Sequence, residues 1–380
     1  MKYTKKDILV FSDWYLPGYK AGGPIRSLAN LVNSLEHNFY IVTRNTDHHS
    51  TEAYENIVPN KWLKISDRIM VIYFEEAKLT SSTFASILKE RSYDRIYLNS
   101  LFSPRFTILP LREINKAGMK NKTILAPRGM LKAGALSVKA KKKKVFLFIA
   151  RMTGLYRGIL WHATNDTEAG EIRQHFGEKT KIRTAPNLIA GGQQKKIKPK
   201  KEPGSLKLIS IARISPEKGI LEGLKFIASS GLGPGLECHF YGTQQNHEYL
   251  QECMHIASVI EGALITFPGE IAHHLLPEVI SDAHFFYLTT WGENFGHAIA
   301  ESLLESTPVI ISDRTPWKKL KESGAGWELP LDVSSFVPVL RQCWEMNDAD
   351  YSALSGSAFE FGQQAANDPQ SIRQAYSVFE

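Results

Sequence analysis

Short apolar runs recur through the first half of the chain, at residues 8–11, 39–43, 70–74, 95–98, 123–126 and 159–162. Segments between them, beginning with 24–35, place apolar residues every three to four positions, as on one face of a helix. Strands that alternate with helices in this way predict a parallel sheet covered on both faces. Pro24 favours the first turn of the first helix, where its missing N–H costs nothing.

The alternation stops between residues 188 and 205, where glycine, lysine and proline predominate, as is typical of a linker. It then resumes, with predicted strands at 206–211, 237–241, 264–267, 285–288 and 309–312 and predicted helices at 219–229, 248–260, 273–281 and 296–305. The pattern therefore predicts two Rossmann-like domains, 1–188 and 189–360. A helical tail, 361–380, interrupted at Asp368-Pro369, is predicted to return to the first domain.

The composition agrees with this organisation. A chain of 380 residues with 43% hydrophobic and 22% charged residues is typical of a globular protein of two domains. Its longest apolar runs fall well short of the roughly 20 residues that a membrane-spanning helix needs. Three cysteines without paired spacing argue against a disulfide framework or a zinc site, so we expect a cytoplasmic protein.

The net charge of +7 favours an anionic partner: a nucleotide, a phospholipid surface or a nucleic acid. Lys139 and the lysines at 141–144 precede the apolar residues 145–149. This segment fits either a basic amphipathic element at the inner face of an anionic membrane or a solvated helix face. It lacks the interleaved aromatic residues that stack on bases, so we expect no nucleic-acid partner.

Residues 289–301, Thr-Thr-Trp-Gly-Glu-Asn-Phe-Gly-His-Ala-Ile-Ala-Glu, link a predicted strand to a predicted helix. A glycine-containing loop there exposes N–H groups at a helix N-terminus, which suit the phosphate of a nucleotide sugar. Glu293 lies in the loop and Glu301 one to two turns down the helix, too far apart for one acid–base pair. Separate roles as acceptors for sugar and ribose hydroxyls fit better. The alternative is a helix-start acid and a solvated surface glutamate.

Arg213 and Lys218 bracket a short turn that follows the strand 206–211. Ligands of open α/β sheets gather at the carboxyl ends of strands, so both cations could converge on a diphosphate. The alternative is a charged turn in which Lys218 pairs with Glu217.

Together these two segments resemble the retaining glycosyltransferases of family four, which have the GT-B fold. That family carries an Arg and a Lys separated by four residues, and later two Glu separated by seven. Arg213 with Lys218, and Glu293 with Glu301, match both patterns in order. The resemblance implies an α/β protein of the GT-B fold, in which two Rossmann-like domains face each other across a cleft.

The resemblance covers essentially the whole chain, although the C-terminal half carries most of its specificity. It implies that Glu293 contacts the donor sugar, that Glu301 binds the ribose, and that Arg213 and Lys218 neutralise the leaving diphosphate. The resemblance implies further donor contacts at Phe295, Gly296, His297 and Ile271. Among these, Ile271 lies where the family often meets the base through its backbone. We also expect donor contacts at Asn294, Gly242, Gly22 and Gly23.

We predict that the acceptor side lies in the N-terminal domain. Gly22-Gly23 followed by Arg26 is similar to the family's N-terminal glycine loop. Many members have a histidine near the sugar where this chain has Asn99, which is then a substitute contact. Arg128 follows the strand 123–126 and could bind an anionic acceptor, or could instead pair with an Asp or Glu.

The implied function is transfer of a hexose-type sugar, with retained configuration, from a UDP-sugar or GDP-sugar to a glycan or lipid-linked acceptor of bacterial cell-surface polysaccharide. UDP is preferred because it is the commoner donor in that family. No cofactor is expected, since the nucleotide sugar is a substrate. No catalytic metal is expected either, because the acidic triplet Asp348-Ala349-Asp350, which formally matches a metal-binding motif, fits a helix-capping turn better. A nucleotide-sugar epimerase, a phosphorylase of related architecture and a non-enzymatic anionic-surface binder remain alternatives.

Overall fold

The computed structural model describes residues 3–137, 140–244 and 246–380, so Lys139 of the basic run lies outside the described residues. The chain divides into two compact units. The N-terminal unit runs to Ala190 and includes Asp368–Glu380, and the C-terminal unit is Gly191–Asn367. Each unit has its own sheet.

The sheet of the N-terminal unit has eight strands in the order β3-β4-β2-β1-β5-β6-β7-β8. Their bounds are β1 Asp7–Phe11, β2 Asn38–Arg44, β3 Trp62–Ser66, β4 Ile69–Phe74, β5 Arg95–Leu98, β6 Thr123–Leu125, β7 Leu160–Ala163 and β8 Ile182–Thr184. The six predicted strands are all present, and β3 and β8 are additional.

The prediction of a purely parallel sheet is wrong at one edge, because β3 runs antiparallel to β4. Only Asp67 and Arg68 separate these two strands. A connection of two residues can form a hairpin but is too short for the crossover that a parallel pair requires.

Helices cover both faces of this sheet, as the alternation predicts. They are α1 Gly23–Ser34, α2 Ser81–Glu90, α3 Leu109–Lys116, α4 Ala133–Ser137, α5 Ala140–Met152, α6 Asp166–Phe176 and, from the end of the chain, α13 Pro369–Val378. Successive residues of β1 point to opposite faces, so Leu9 and Phe11 join one core and Ile8 and Val10 the other.

The last helix is held to the N-terminal unit by specific contacts. The Tyr376 hydroxyl accepts a hydrogen bond from the backbone N–H of Glu36 at 2.9 Å. The Tyr376 ring also stacks on that of Tyr3, with ring centroids 3.8 Å apart. Phe379 is fully buried in the same core.

The sheet of the C-terminal unit is parallel, in the order β11-β10-β9-β12-β13-β14. Its strands are β9 Leu206–Ile211, β10 Leu236–Tyr241, β11 Leu264–Gly269, β12 Phe285–Leu288, β13 Val309–Ser312 and β14 Gly326–Leu329. Its helices are α7 Ile220–Ser230, α8 His247–Ser258, α9 Leu276–Asp282, α10 His297–Leu304, α11 Val333–Glu345 and α12 Asp348–Ala366. Only β14 was not predicted among these strands.

The segment read as a linker is anchored to the C-terminal unit. The Lys201 side chain is fully buried, and its ammonium donates to the carbonyls of Trp344 and Met346, both at 3.1 Å. Lys198 donates to Ser281 O at 2.6 Å and to Thr307 Oγ1 at 2.7 Å. Composition alone concealed this, because lysine is seldom buried unless its charge is hydrogen-bonded.

Both sheets contain a point where the chain order reverses. In the C-terminal unit β9 lies between β10 and β12, and in the N-terminal unit β1 lies between β2 and β5. Connections leave such strands in opposite directions and open a crevice at their carboxyl ends, where ligands of open α/β sheets bind. The two reversal points therefore mark where each unit can hold a ligand.

Candidate functional site

Two loops meet at the reversal point of the C-terminal unit, one after β9 and one after β12. The backbone N–H of Trp291 donates to Glu217 O at 3.0 Å, and the Thr289 hydroxyl donates to Gly219 O at 2.6 Å. Thr290 Oγ1 also donates to Glu217 O, at 3.1 Å. The loops are therefore fixed to one another before any ligand binds.

Gly219 permits this approach. A Cβ at this position would lie 1.8 Å from the carbonyl oxygen of Thr289, well inside van der Waals contact. Its φ of +63° also favours glycine. Gly242, after β10, likewise permits a close approach to the loop after β9, since a Cβ there would lie 1.8 Å from Ala212 O.

The carboxylate of Glu293 pairs with Lys218 across the two loops, with Nζ 2.6 Å from Oε2. The two side chains are only 13% and 20% exposed. The alternative pairing of Lys218 with Glu217 is therefore wrong. Glu217 instead forms its ion pair with Arg213, and both of those side chains are more than half exposed.

Further contacts fix the Glu293 loop. Glu293 Oε1 accepts from the backbone N–H of Asn294 at 3.1 Å, and the Glu293 N–H donates to Arg314 O at 3.1 Å. Trp317, in the loop after β13, donates its indole N–H to Phe295 O at 2.6 Å. Contacts from three strand-end loops thus orient one carboxylate.

Buried polar atoms without a hydrogen-bond partner in the described part of the chain include Asn294 Oδ1 and Ser215 Oγ at this site. An unsatisfied buried polar atom costs about 1–3 kcal/mol. Because both atoms lie in the two loops, they are candidate hydrogen-bond partners for a polar ligand. Ser215 was not singled out by the sequence, because a serine in a charged turn carries no signal of its own.

The helix α10 begins directly after the Glu293 loop. Gly296, with φ of +81°, precedes its first residue, and the ring of His297 lies 4.7 Å from that of Phe295. The positive end of the helix dipole therefore lies beside Glu293 and Lys218, which favours an anion there. Glu301 is the fifth residue of α10 and is half-buried.

Ile271 lies farther from the strand-order reversal than the two loops do. It follows β11, the edge strand, which β10 separates from β9. Gly242 connects the end of β11 with the loop after β9. Its N–H donates to Gly269 O at 2.8 Å, and a Cβ built on it would meet Ala212 O.

Asn99 and the glycine loop meet at the reversal point of the N-terminal unit. The amide of Asn99 donates to Ser12 Oγ at 3.3 Å and to Pro24 O at 3.4 Å. Gly22 precedes α1 with φ of +67° and ψ of −126°, a conformation that glycine adopts readily. Gly23 and Arg26 follow in the first turn of α1.

The Arg128 guanidinium is held at three points, from a backbone with φ of +54°. Nε donates to Asn99 Oδ1 at 2.8 Å, one terminal nitrogen to Asn187 Oδ1 at 2.6 Å, and the other to the Tyr97 hydroxyl at 2.9 Å. The alternative in which Arg128 pairs with an Asp or Glu does not describe these contacts, because all three acceptors are neutral. Its positive charge remains available to an anion.

The buried His162 holds Tyr97, one of the three partners of Arg128, in place. Tyr97 OH lies 2.7 Å from His162 Nδ1, and His162 Nε2 lies 2.9 Å from Ala185 O. A carbonyl only accepts, so Nε2 carries the proton and Nδ1 accepts from Tyr97. Burial, with the Arg128 charge, lowers the pKa of His162 to about 3, so the ring is neutral.

Asp13, just after β1, is a further half-buried acid at the same reversal point that the sequence did not single out. Its Oδ1 accepts from Ser103 Oγ at 2.8 Å and lies 3.4 Å from a terminal nitrogen of Arg44. Burial raises the pKa of Asp13, while the hydrogen bond from Ser103 and the charge of Arg44 oppose the increase.

The described residues include no group of three His, Cys, Asp or Glu side chains placed to hold a metal ion. Asp348 and Asp350 lie in the first turn of α12, whose N-cap is Asn347. Asp348 Oδ1 accepts from the N–H of Lys201 at 2.9 Å. Within the same described residues, no helix is both long and apolar enough to span a bilayer.

Comparison with known proteins gives a family match to part of the C-terminal unit. Residues 192–326, which contain both loops, match the family described as glycosyl transferases group 1. No curated protein matches the chain.

Solved structures of the same fold match nearly the whole chain. Sucrose-phosphate synthase from Thermosynechococcus elongatus is 16% identical, with a TM-score of 0.66 over 99% of this chain and 98% of that one. HepE from Anabaena, in complex with UDP-glucose, is 15% identical, with a TM-score of 0.66 over 98% of each chain. The UDP-forming α,α-trehalose-phosphate synthase from Burkholderia xenovorans, in complex with glucose-6-phosphate, is 11% identical, with a TM-score of 0.66 over 99% and 100%.

The chain therefore has the GT-B fold of two Rossmann-like domains, and its residues 192–326 carry the pattern of the glycosyl transferases of group 1.

Proposed function

We propose that the protein is a retaining glycosyltransferase of family four that transfers a sugar from a nucleotide diphosphate to a glycan or lipid-linked acceptor. The observation that carries this proposal is the Lys218–Glu293 pair, which joins a cation and a carboxylate at the reversal point between β9 and β12. A nucleotide sugar needs both groups at one place, a cation for the diphosphate and an acceptor for the sugar hydroxyls. The motif spacing, the family match to residues 192–326 and the start of α10 support the same site.

In this proposal Lys218 and Arg213 stabilise the leaving diphosphate, and Glu293 accepts hydrogen bonds from the sugar. The negative charge that develops on the leaving oxygen is then stabilised by cations already in place, which lowers the barrier without a metal. Glu301 binds the ribose hydroxyls, while Ile271 and Gly242 lie on the side of the base. Asn294, Phe295, Gly296 and His297 contribute the polar groups and the helix start that hold sugar and phosphate.

The transfer conserves atoms and charge. The bond between the anomeric carbon and the diphosphate oxygen breaks, a bond from the acceptor oxygen forms on the same face, and the acceptor proton moves to the diphosphate. Donor binding also changes the existing ion pair, since the diphosphate competes with Glu293 for Lys218. Glu293 is then released toward the sugar hydroxyls.

The acceptor binds to the N-terminal unit at Asn99, Arg26 and Arg128, beside Gly22 and Gly23. Arg128 is oriented by neutral groups, so its charge suits an acceptor that carries a phosphate or carboxylate. Such acceptors are found in cell-surface polysaccharide assembly, the setting that we propose. UDP is the preferred nucleotide, and the UDP complexes among the structural neighbours are in line with it.

A thermal-shift screen over UDP-sugars and GDP-sugars tests the donor, because a ligand that binds only the folded state raises Tm by mass action. The stabilising nucleotide sugar is then incubated with candidate acceptors, and the anomeric configuration of the product is read by NMR. A product of inverted configuration would overturn the retaining mechanism. Conversion of the donor without an acceptor would indicate an epimerase, and an absence of stabilisation by every nucleotide would remove the donor site.

A further inference from the structure

The helix α5 of the N-terminal unit has two contrasting faces. Its inner face packs on the protein. Lys143 donates to Ala135 O at 2.6 Å, Phe146 packs edge-on against Phe102 with ring centroids 5.6 Å apart, and Ala150 is buried. These inward positions fix the orientation of the helix and so define what the opposite face presents.

The outer face carries an apolar stripe. Val145, Phe148, Ile149 and Met152 are 57%, 67%, 52% and 73% exposed. A helix turns about 100° per residue, so positions i, i+3, i+4 and i+7 form one continuous strip. Exposed apolar residues that occur singly are ordinary, whereas four in one strip on a single helix indicate a surface that another body covers.

Cations border this stripe on both sides. Rotation by about 100° per residue places Lys144 and Arg151 along one edge and Lys142 along the other, with Lys141 at the start of the strip. All four side chains are exposed. Residues 114–165 contain twelve lysines and arginines and no aspartate or glutamate, so the surroundings of the stripe lack anionic residues from this stretch of the chain.

The position of the lysines within the helix is unfavourable for folding. Lys141 and Lys142 lie in the first turn of α5, where the positive end of the helix dipole disfavours cations. Helix stability therefore does not explain why lysines occupy these positions. An anionic body outside the helix does, because it would interact favourably with both the lysines and the dipole.

We propose that the exposed face of α5 docks on an anionic lipid bilayer, with Val145, Phe148, Ile149 and Met152 inserted among the lipid chains near the headgroups and the flanking cations on the phosphates. A strip of apolar residues between two rows of cations is the arrangement of a helix that lies in the plane of a membrane interface. A second copy of this chain does not fit, because it would bring two lysine clusters together. This proposal is independent of the transferase activity.

Co-sedimentation with vesicles tests the proposal. We expect the full-length protein to sediment with vesicles that contain phosphatidylglycerol, to remain in solution with pure phosphatidylcholine, and to be released by added salt. The triple change Lys141→Gln, Lys142→Gln, Lys144→Gln should weaken binding about a hundredfold, at about fivefold for each lysine near a charged surface. The change Phe148→Ser with Met152→Ser should weaken it about tenfold or more through the lost apolar contact.

Matched controls use exposed residues elsewhere. Lys61→Gln, Lys179→Gln and Lys225→Gln together remove the same charge, and Ile197→Ser removes an apolar side chain that is 98% exposed. Both controls should bind vesicles like the wild type, and all variants should keep the wild-type Tm because every changed residue is exposed. Equal loss in the lysine control would show only a non-specific effect of net charge. The proposal would be overturned if the wild-type protein did not sediment with anionic vesicles and bound an acidic protein through α5 instead.

Discussion

Lys218 Nζ and Glu293 Oε2 lie 2.6 Å apart, although the two residues are 75 positions apart in the chain. They meet because β9 and β12 are neighbours at the strand-order reversal of the C-terminal unit. Each residue follows one of these strands, so a cation and a carboxylate from different loops occupy the same place.

The two members of this pair should respond differently to substitution. Lys218→Ala removes the charge that stabilises the diphosphate, so we expect weaker UDP binding and turnover lower by about a hundredfold or more. Glu293→Gln keeps the shape of the side chain but removes the negative charge that competes with the diphosphate for Lys218. UDP binding should therefore persist or strengthen while turnover falls. Calorimetric titration with UDP and a steady-state transfer assay separate the two effects. Arg213→Ala should also lower turnover, whereas Lys225→Ala, an exposed lysine on α7, should not.

Equal loss of UDP affinity in Lys218→Ala and Glu293→Gln would contradict this division of roles. Near-normal turnover in both Lys218→Ala and Arg213→Ala would contradict the proposed function itself. Circular dichroism on each purified variant confirms that the fold is retained.

Gly219 and Gly231 provide a matched pair for the contact between the loops. Both have left-handed backbones, with φ of +63° and +69°. A Cβ at Gly231 meets nothing within 4 Å, whereas one at Gly219 would lie 1.8 Å from Thr289 O. Gly231→Ala should cost about 1 kcal/mol through backbone strain alone. Gly219→Ala should cost about 3 kcal/mol or more and weaken UDP binding, because the loop must move.

Urea unfolding monitored by fluorescence measures both free energies of unfolding. Similar values for the two variants would show that the loops accommodate the added methyl group, contrary to the contact described.

Arg128 should determine acceptor recognition and leave the donor unaffected. Arg128→Ala is expected to raise the acceptor KM or lower kcat by tenfold or more, as the loss of a charge-assisted contact of about 1.5–3 kcal/mol would require. Arg128→Lys should not restore activity, because one ammonium cannot reproduce a fork that reaches Asn99, Asn187 and Tyr97 together. UDP affinity, measured by titration, should stay within about twofold of the wild type. Loss of UDP binding with unchanged acceptor kinetics would show that the donor and acceptor roles are reversed.

The buried His162 should make the N-terminal unit sensitive to acid. Its pKa is lowered from 6.5 to about 3 in the folded state, so the unfolded chain binds more protons between those values. The stability that the neutral ring contributes is present above pH 6.5 and is lost as pH falls toward 3. The loss is about 1.4 kcal/mol per pH unit.

His162→Gln retains a donor for Ala185 O and removes the titration. The difference between the unfolding free energies of wild type and variant, measured from pH 7 to pH 4, should therefore narrow as pH falls. A constant difference over that range would show that the imidazole does not titrate as described.

Local periodicity determined most of the secondary structure. The predicted strands are present because runs of four to six apolar residues between turns identify a buried strand without reference to its neighbours. The strands β3, β8 and β14 escaped detection for local reasons. β3 has four exposed positions, β8 is three residues long, and β14 begins with glycine. The alternation also could not show that β3 reverses direction, which depends on the length of its connection to β4.

The sequence also placed Arg213, Lys218 and Glu293 after strand ends and Glu301 on the helix that follows, because motif spacing and strand position are properties of the chain itself. It did not show that Lys218 pairs with Glu293 rather than with Glu217. That choice depends on which strands are adjacent in the sheet.

Other features belong to the tertiary structure alone. Arg128 contacts Asn187, 59 positions away, because the loops after the parallel strands β6 and β8 lie at one edge of the sheet. Lys201 is buried because its ammonium donates to carbonyls at the end of α11. Hydrophobic periodicity is set by the few residues of one element and can be read along the chain. The partner of a charged side chain is set by the order of the strands, which only the packed fold decides.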